Sequence, residues 1–198
     1  GDVYKSITIT QETPLVPAES KELRPHRLAV GLYDIKGDSL QLRKSVELDV
    51  AGAATVVADL AGEKVADLLL INDRDLSYAK LRFDDRSIAT LKTHLGKFDD
   101  ALARALCWAS IWDMHRDAEI SSADFIEIAL NGLAGESDDA IVNIVLTQLG
   151  TSVEAYAKDS NRDAYREKLA DGLWSLTQNS APGSDLQLLI SRAFAIYA

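Results

Sequence analysis

Three histidines are the side chains of this 198-residue chain best suited to bind a metal ion or transfer a proton: His26, His94 and His115. A zinc site of the H-E-x-x-H type needs two histidines one helical turn apart, so that both imidazoles reach one ion. No pair of the three has that spacing. The alternative is a composite metal site that joins His115 with Asp113 or Asp117. We expect instead that these are solvated polar residues at a helix end.

The acidic string Asn72-Asp73-Arg74-Asp75 superficially matches the start of a calcium-binding loop. Such a loop needs a glycine in its middle and a bidentate glutamate at its end. The glycine is missing here, and Phe83 or Asp84 stands where the glutamate is required. We therefore interpret the string as a polar turn in which Asp75 accepts hydrogen bonds from backbone N–H groups.

Nucleophilic and phosphate chemistry have little support in the sequence. Ser, His and Asp are all present, but no G-x-S-x-G motif indicates a catalytic serine. The 11 glycines are scattered and form no phosphate-binding loop. Cys107 is the one cysteine, and nothing nearby in the sequence supplies a base to activate it. We expect a buried structural thiol in a reducing compartment, the cytoplasm.

Trp108 and Trp112 lie four residues apart within an apolar stretch. In a helix this spacing places both rings on one face, where such pairs usually belong to the core. The alternative is an aromatic patch that binds peptides. We expect both rings to be core, together with their neighbours Ala105, Leu106 and Ala109.

The overall composition excludes several classes of partner. A formal charge of −10 and a pI near 4.7 argue against nucleic acid, whose phosphates need clustered Lys and Arg. No apolar run approaches the roughly 18 residues that a membrane span requires. With 47% hydrophobic and 26% charged residues, the chain has the composition of a globular protein.

The elements that must position these residues change in period along the chain. Up to about residue 75 the apolar residues alternate in short runs, which predicts strands with turns between them and no helix. We expect a small antiparallel β-sandwich. A turn at Lys36-Gly37-Asp38 is predicted to join two of its strands. The runs are Ile7 and Ile9; Leu28, Val30 and Leu32; Leu40 and Leu42; Val46, Leu48 and Val50; Thr55 to Val57; and Leu68 to Ile71.

From about Asp85 the apolar residues repeat with helical spacing. About six helices joined by short polar turns predict an antiparallel α-helical array. Ser121, Ser137 and Ser184 are predicted helix starts, Ser121 with Asp124 in capping-box spacing. The predicted core stripes are Ile88, Leu91 and Leu95; Leu102, Ala105, Leu106, Ala109 and Trp112; Phe125, Ile126, Ala129, Leu130 and Leu133; Ile141, Ile144, Val145, Gln148 and Leu149; Tyr165, Leu169, Leu173 and Leu176; and Leu186, Leu189, Ile190, Ala193, Phe194 and Tyr197. The last stripe lacks a polar cap, so we expect further helices to follow it.

Three long strings carry a resemblance to a known family. They are LRPHRLAVGLYD (Leu23 to Asp34), LLLINDRDLSYAKLRFDDRS (Leu68 to Ser87) and ALCWASIWDMHRDAEI (Ala105 to Ile120). Together they resemble the bacterial branch of the zinc aminopeptidase N family, in the gluzincin class, downstream of its catalytic domain. The GAMEN and HExxH motifs on which that family's chemistry rests are absent from this chain. We therefore assign no catalytic, cofactor-binding or metal-binding residue.

The resemblance implies a fold and a role. Residues 1–84 are expected to form the family's small β-sandwich domain, and residues 85–198 the beginning of its helical C-terminal domain. The zinc ion would lie in the catalytic domain of the same polypeptide, and that domain and peptide substrates would be the partners. The fragment alone would be inactive, while in the parent it would space and enclose the active site.

Two other interpretations remain. The chain could be a free-standing protein-interaction module, which would need a natural start near residue 1 and a polar face on its last helix. It could also be an unrecognised hydrolase that uses His94 or His115, an idea with no motif behind it.

Overall fold

The computed structural model describes residues 2–13 and 21–198, and within them the strands precede the helices. The strands are β1 (Thr8–Thr10), β2 (His26–Lys36), β3 (Ser39–Val50), β4 (Ala54–Val56) and β5 (Leu68–Ile71). The α-helices are α1 (Asp85–His94), α2 (Ala101–Arg116), α3 (Ser122–Leu133), α4 (Asp139–Thr151), α5 (Asp159–Asn179) and α6 (Asp185–Tyr197). This confirms the predicted combination of antiparallel strands followed by helices.

The strands form two small antiparallel sheets. One pairs β1 with β4, and the other has the order β3-β2-β5. The predicted turn between β2 and β3 is confirmed, because Lys36 pairs with Ser39 and only Gly37 and Asp38 lie between them. Gly37 has φ +65°, a conformation that glycine adopts without steric cost.

A β-bulge shapes the long hairpin of β2 and β3. Leu32 pairs with Lys44 while Tyr33 pairs with Leu42, so that Arg43 is left without a partner on β2. The Arg43 guanidinium donates to the Glu63 carboxylate over 2.9 Å and to the Lys64 carbonyl over 2.5 Å. The bulge therefore ties β3 to the segment that precedes β5.

Strand β2 is buried on both faces. The alternation of Leu28, Val30 and Leu32 predicted one buried face, but every residue from Leu28 to Asp34 is buried. One face contributes to a core shared by the two sheets, and the other packs with helical residues. The first core consists of Ile7, Ile9, Leu28, Val30, Leu32, Val50, Val57, Leu60 and Ala66.

The second core contains side chains from both the sheet and the helices. Tyr33, Leu40, Leu68 and Leu70 project from the strands into a cluster with the buried residues of all six helices. The Tyr33 ring packs edge-on against Phe98, with the ring centroids 5.2 Å apart. The strands thus supply part of the surface on which the helices pack.

Helix starts follow the local sequence closely. The Ser121 hydroxyl accepts from the Asp124 N–H at 3.1 Å, and the Ser184 hydroxyl accepts from the Gln187 N–H at the same distance. Both confirm the predicted caps. The prediction for α4 was off by one residue, because Asp138 rather than Ser137 accepts from the first backbone N–H groups.

The predicted buried face of α2 was wrong in part, because Leu106 and Trp112 pack against the core but its other residues do not fill it. Leu102 is 46% exposed and Ala109 is exposed, while Trp112 is only partly buried. The buried apolar side chains are instead Ala103, Cys107, Trp108, Ile111 and Met114. Apolar residues occur on most sides of this helix, so their spacing does not select one face. The contact with α3 and with the turn after it makes that selection.

The later predicted stripes are confirmed in part. Leu91, Leu95, Phe125, Ile126, Ala129 and Leu133 are buried, and so are Val145, Leu149, Leu169, Leu173 and Ile190. Ile144 is 55% exposed and was wrongly predicted as core, whereas Val142 is buried in its place. On the last helix, Leu188 and Ile196 are 48% and 76% exposed. The ring of Phe194 packs on the half-exposed Trp174, with the ring centroids 5.1 Å apart.

Candidate functional site

The three histidines lie on three different elements. His26 begins β2, His94 ends α1 and His115 lies in the last turn of α2. The His94 Nδ1 atom is 2.8 Å from the Thr93 hydroxyl. Among the described residues, no group of three or more His, Cys, Asp and Glu side chains is arranged to hold a metal ion.

The expectation that His115 is a solvated residue at a helix end was wrong. His115 is 4% exposed, because the chain folds back after α2 and the N–H groups of Glu119 and Ile120 bond to the Met114 carbonyl. The imidazole then stacks on Phe125 of α3, with ring centroids 4.7 Å apart and an angle of 5° between the planes. Nδ1 lies 2.9 Å from the Ile120 carbonyl oxygen.

This environment favours the neutral imidazole. Burial lowers the pKa of His115, and the bond to the Ile120 carbonyl offsets only part of that effect. Nδ1 therefore carries the proton and donates it to the carbonyl. Trp112 and Tyr156 complete an aromatic enclosure, with ring centroids 5.7 and 5.4 Å from the imidazole.

The acidic residues near His115 pair with cations instead of with the imidazole. Asp117 accepts from Lys80 at 2.9 Å and also from Arg82. These bonds hold the pKa of the Asp117 carboxyl below its usual range, and the hydrogen bond from Lys80 has the largest effect. Asp113 lies 3.8 Å from Arg116, one turn further along the helix. The composite site of His115 with these carboxylates is therefore not assembled.

The string from Asn72 to Asp75 forms a turn, as predicted, but Asn72 rather than Asp75 makes the backbone contacts. The Asn72 side chain accepts from the Ser77 N–H at 3.1 Å and donates to the Ser77 carbonyl at 2.7 Å. Asp75 accepts a 3.4 Å bond from Asn72 Nδ2. Both Asn72 and Asp75 have positive φ, a region that Asn and Asp tolerate better than other L-residues.

Asp73 is the buried member of the string. Its carboxylate accepts from the Tyr33 hydroxyl and, at 3.4 Å, from the Ser45 hydroxyl, and its N–H donates to the Ala29 carbonyl. The carboxylate also packs against Gly31, where an added Cβ would lie 2.8 Å from the Asp73 Cγ. A residue that looks like a surface acid in the sequence thus holds the end of β5 onto β2.

Burial controls the protonation of this pair. Desolvation raises the pKa of Asp73, and the hydrogen bond from Tyr33 opposes it without cancelling it. Desolvation and the neighbouring carboxylate raise the pKa of Tyr33, so the phenol keeps its proton. A protonated phenol donates to an ionised carboxylate, so this pair anchors β2 to the segment that follows β5.

A second buried polar group joins α2 to the turn between α3 and α4. Arg104 Nε donates to both Glu136 carboxylate oxygens, at 3.1 and 2.9 Å, and Trp108 Nε1 donates to one of them at 2.9 Å. The N–H groups of Ser137 and Asp138 bond to the other oxygen. Burial alone would raise the pKa of Glu136, but the bond from Arg104 and the others outweigh it and lower the pKa.

The aromatic and thiol predictions have different outcomes. Cys107 is fully buried, as predicted, and burial raises the pKa of its thiol well above the usual value. Trp108 is a core residue, as predicted, whose ring occupies the space next to Gly132. Trp112 is partly buried against the same core, with its ring centroid 5.3 Å from that of Phe125, and its other neighbour is the 45% exposed Tyr156 at 5.9 Å.

The polar residues that matter most here were missed by the sequence reasoning. Tyr33, Arg104 and Glu136 lie 40 or 32 residues from their partners, so no local pattern marks them. Gly31 inside a strand pattern was the one available signal, because such a glycine often marks a close backbone approach. All of these residues join elements of the fold to one another.

In residues 2–13 and 21–198, no helix has both the length and the apolar composition needed to cross a bilayer.

Comparison with known proteins identifies the family. A family profile described as "ERAP1-like C-terminal domain" matches residues 68–198, which include β5 and all six helices. The chain is also 42% identical over 200 residues to "Aminopeptidase N" of Streptomyces lividans, a match that covers 99% of this chain and 23% of that protein. The chain thus spans about a quarter of the length of this relative. It belongs to the aminopeptidase N family, and its residues 68–198 are those that match the ERAP1-like C-terminal domain.

Proposed function

We propose that this chain is the non-catalytic portion of a zinc-dependent aminopeptidase that removes N-terminal residues from peptides. The observation that carries the proposal is the 42% identity to an aminopeptidase N over 99% of this chain. Because the match spans only 23% of that relative, the catalytic machinery has room to lie elsewhere in the polypeptide. The buried polar groups of this segment support the proposal, since they join elements to one another.

We further propose that residues 1–84 form the small β-sandwich of the parent protein and residues 85–198 the first part of an antiparallel helical array. The core shared by the two sheets supports the sandwich, and the order of α1 to α6 with short connections supports the array. The two parts meet through Tyr33, Leu40, Leu68 and Leu70, so they would move as one body.

In the parent protein, the β-sandwich of this segment would lie between the catalytic and helical domains, and its helical part would help to enclose the active site. Enclosure limits entry to flexible peptides and excludes water from the reacting carbonyl. The zinc ion belongs to the catalytic domain in this account, and we assign it no ligand among residues 1–198. The catalytic domain of the same polypeptide and peptide substrates are the proposed partners, and the single buried thiol supports a cytoplasmic location.

Enclosure can be tested with substrates of increasing size that share one N-terminal residue. We expect the full polypeptide to release that residue from short peptides and to lose activity as the substrate approaches a folded protein. Equal kcat/KM for a short peptide and for a folded protein with a flexible N-terminus would contradict enclosure.

A separate measurement tests whether the chain is one part of a larger protein. We expect the natural polypeptide that contains NDRDLSYAKLRFD to have an intact mass several times the 21.6 kDa of this chain, with an HExxH peptide in its map. An endogenous polypeptide with a mass near 21.6 kDa would instead indicate the free-standing interaction module.

A further inference from the structure

The loop between β5 and α1 presents two apolar side chains to solvent. Tyr78 is 103% exposed, so its ring contributes nothing to the packing of this segment, and Leu76 is 45% exposed. Exposed tyrosines are individually ordinary on protein surfaces. The unusual feature is how firmly the surrounding backbone is held.

The first half of the loop is fixed to the sheet. The Asn72 side chain makes two hydrogen bonds to the backbone of Ser77, and the Ser77 hydroxyl donates to the Arg27 carbonyl at 2.8 Å. Asn72 and Asp75 adopt φ values of 60° and 52° within this turn. Asn and Asp tolerate this region better than other L-residues, and the bonds between Asn72 and Ser77 hold the turn in it.

The second half of the loop is fixed to the helices. Lys80 donates to Asp117 at 2.9 Å, and Arg82 donates to Glu119 at 2.7 Å. The Phe83 N–H contacts the Met114 sulfur at 3.5 Å. Leu76 and Tyr78 therefore project from a short backbone segment that is anchored on both sides.

An exposed aromatic side chain on an anchored backbone, with charged residues around it, has the composition of a protein contact. Ion pairs of Arg74 with Glu47 at 2.7 Å and of Arg27 with Asp49 at 3.2 Å lie beside the anchored turn. Interfaces combine an apolar centre with a polar rim, and tyrosine is enriched among the residues that dominate their affinity. A backbone that is already anchored also loses less conformational entropy when the segment binds.

We propose that Leu76 and Tyr78 bind another part of the same polypeptide, outside residues 1–198, and so fix this segment in the parent protein. The inference rests on the proposed function, in which this chain is one part of a larger aminopeptidase. The match to 23% of the relative leaves most of that protein available to form this surface. Its chemistry would be an apolar recess with a carbonyl or carboxylate oxygen that accepts from the Tyr78 hydroxyl.

Tyrosine-specific chemical labelling of the full polypeptide tests the contact, because two other tyrosines serve as internal references. Tyr156 is 45% exposed and Tyr33 is 2% exposed. We expect Tyr78 to lose its reactivity and to label more slowly than Tyr156, close to the rate of Tyr33. If Tyr78 labels fastest of the three, the proposal is overturned. Protection that disappears on dilution would indicate a second copy of the chain and would also overturn it.

Variants of the full polypeptide give a second measurement. Tyr78→Ala should lower its Tm, since the contact loses its aromatic anchor, whereas Tyr78→Phe should retain most of the stability. An unchanged Tm for Tyr78→Ala would contradict the contact. The two proposals can fail independently. An inactive polypeptide with a protected Tyr78 would refute only the aminopeptidase assignment. An active polypeptide with a freely labelled Tyr78 would refute only the contact.

Discussion

Gly31 of β2 and Asp73 at the end of β5 approach each other so closely that a side chain at Gly31 has no room. An added Cβ would lie 2.8 Å from the Asp73 Cγ and 2.9 Å from one of its carboxylate oxygens. The same Cβ would lie 2.8 Å from the Tyr33 ring, whose hydroxyl donates to that carboxylate. The missing side chain therefore creates the space for the buried polar pair.

Gly31→Ala should destabilise the fold. The new methyl group would force the Asp73 carboxyl and the Tyr33 ring out of their positions, and overpacking of this kind costs about 1–3 kcal/mol. The free energy of unfolding, measured by urea titration of the purified chain, checks the prediction.

Gly150→Ala is the matched control for Gly31→Ala. Its added Cβ would meet only the Tyr197 hydroxyl, at 2.9 Å, at the far end of a flexible side chain. Because Gly150 lies within α4, alanine should leave stability unchanged or raise it by up to about 1 kcal/mol. Equal stability of the two alanine variants would contradict the close approach at Gly31.

Tyr33→Phe should destabilise the fold, since it removes the donor from the buried Asp73 carboxylate. A buried acceptor without its partner costs about 1–3 kcal/mol. Asp73→Asn should destabilise the fold less than Tyr33→Phe does, because the amide oxygen can still accept from Tyr33 and carries no charge. A double-mutant cycle of the two substitutions measures their coupling. We expect Tyr33→Phe to cost less in the Asp73→Asn background, because the acceptor left without its donor is then uncharged, and additive losses would show that the charge of Asp73 does not strengthen the bond.

The pH dependence of Asp73 has a defined sign. Its pKa is raised from 3.8 in the folded state, so the unfolded state loses the proton first as the pH increases. This group therefore contributes stability below pH 3.8, which is lost as the pH rises through the folded-state pKa. Asp73→Asn should remove that loss and be at least as stable as the wild type at pH 7. A large loss at pH 7 would show that the ionised carboxylate stabilises the fold.

Glu136→Gln should be strongly destabilising, because it leaves the Arg104 guanidinium buried without a counter-charge. The side chains of Glu136 and Arg104 are 0% and 8% exposed. Removal of one partner from a buried ion pair costs about 3–5 kcal/mol. Since the pKa of Glu136 is lowered from 4.5, the stability that its ionisation provides is present above pH 4.5 and lost as the pH falls below it.

Glu154→Gln is the matched control for the buried ion pair. Glu154 pairs with Arg166 at 2.5 Å, but both side chains are more than 40% exposed. Solvent screens such a pair, so its loss should have little effect on unfolding. If the two glutamine variants lose similar stability, the Arg104 guanidinium must be reaching water or another partner.

His115 should make the fold sensitive to mild acid. Burial lowers its pKa from 6.5, so the unfolded state takes up a proton first as the pH falls. Stability is therefore fully present above pH 6.5 and declines below it. His115→Phe keeps a ring stacked on Phe125 but cannot titrate, so its free energy of unfolding should change less than that of the wild type between pH 6.5 and 5.

An identical slope for the wild type and for His115→Phe would mean that His115 is solvated in the folded protein.

Local features of the fold could be predicted because their causes are local. The two-residue turn at Gly37 and the caps at Ser121 and Ser184 depend on residues within a few positions of one another. The buried face of α2 could not be predicted, because apolar residues occur on most sides of this helix and its packing on α3 and the turn after it selects the face. Trp112 was assigned to the core from its spacing to Trp108, and it is only partly buried.

The polar centre at Asp73 shows why the rest of the site could not be found. An acid between Asn72 and Arg74 has the appearance of a solvated turn residue. Its burial depends on Gly31 and Tyr33, about 40 positions away on a strand that pairs with β5. Only the tertiary fold brings these residues together. The family resemblance, in contrast, lies in contiguous strings and needed no structure.

Aminopeptidase activity of the full polypeptide, compared with that of residues 1–198 alone, tests the central claim most directly. Our account predicts that the full polypeptide releases N-terminal residues, loses this activity on metal chelation and regains it with zinc, and that residues 1–198 alone are inactive under every condition. Release of N-terminal residues by the purified 198-residue chain would contradict the account.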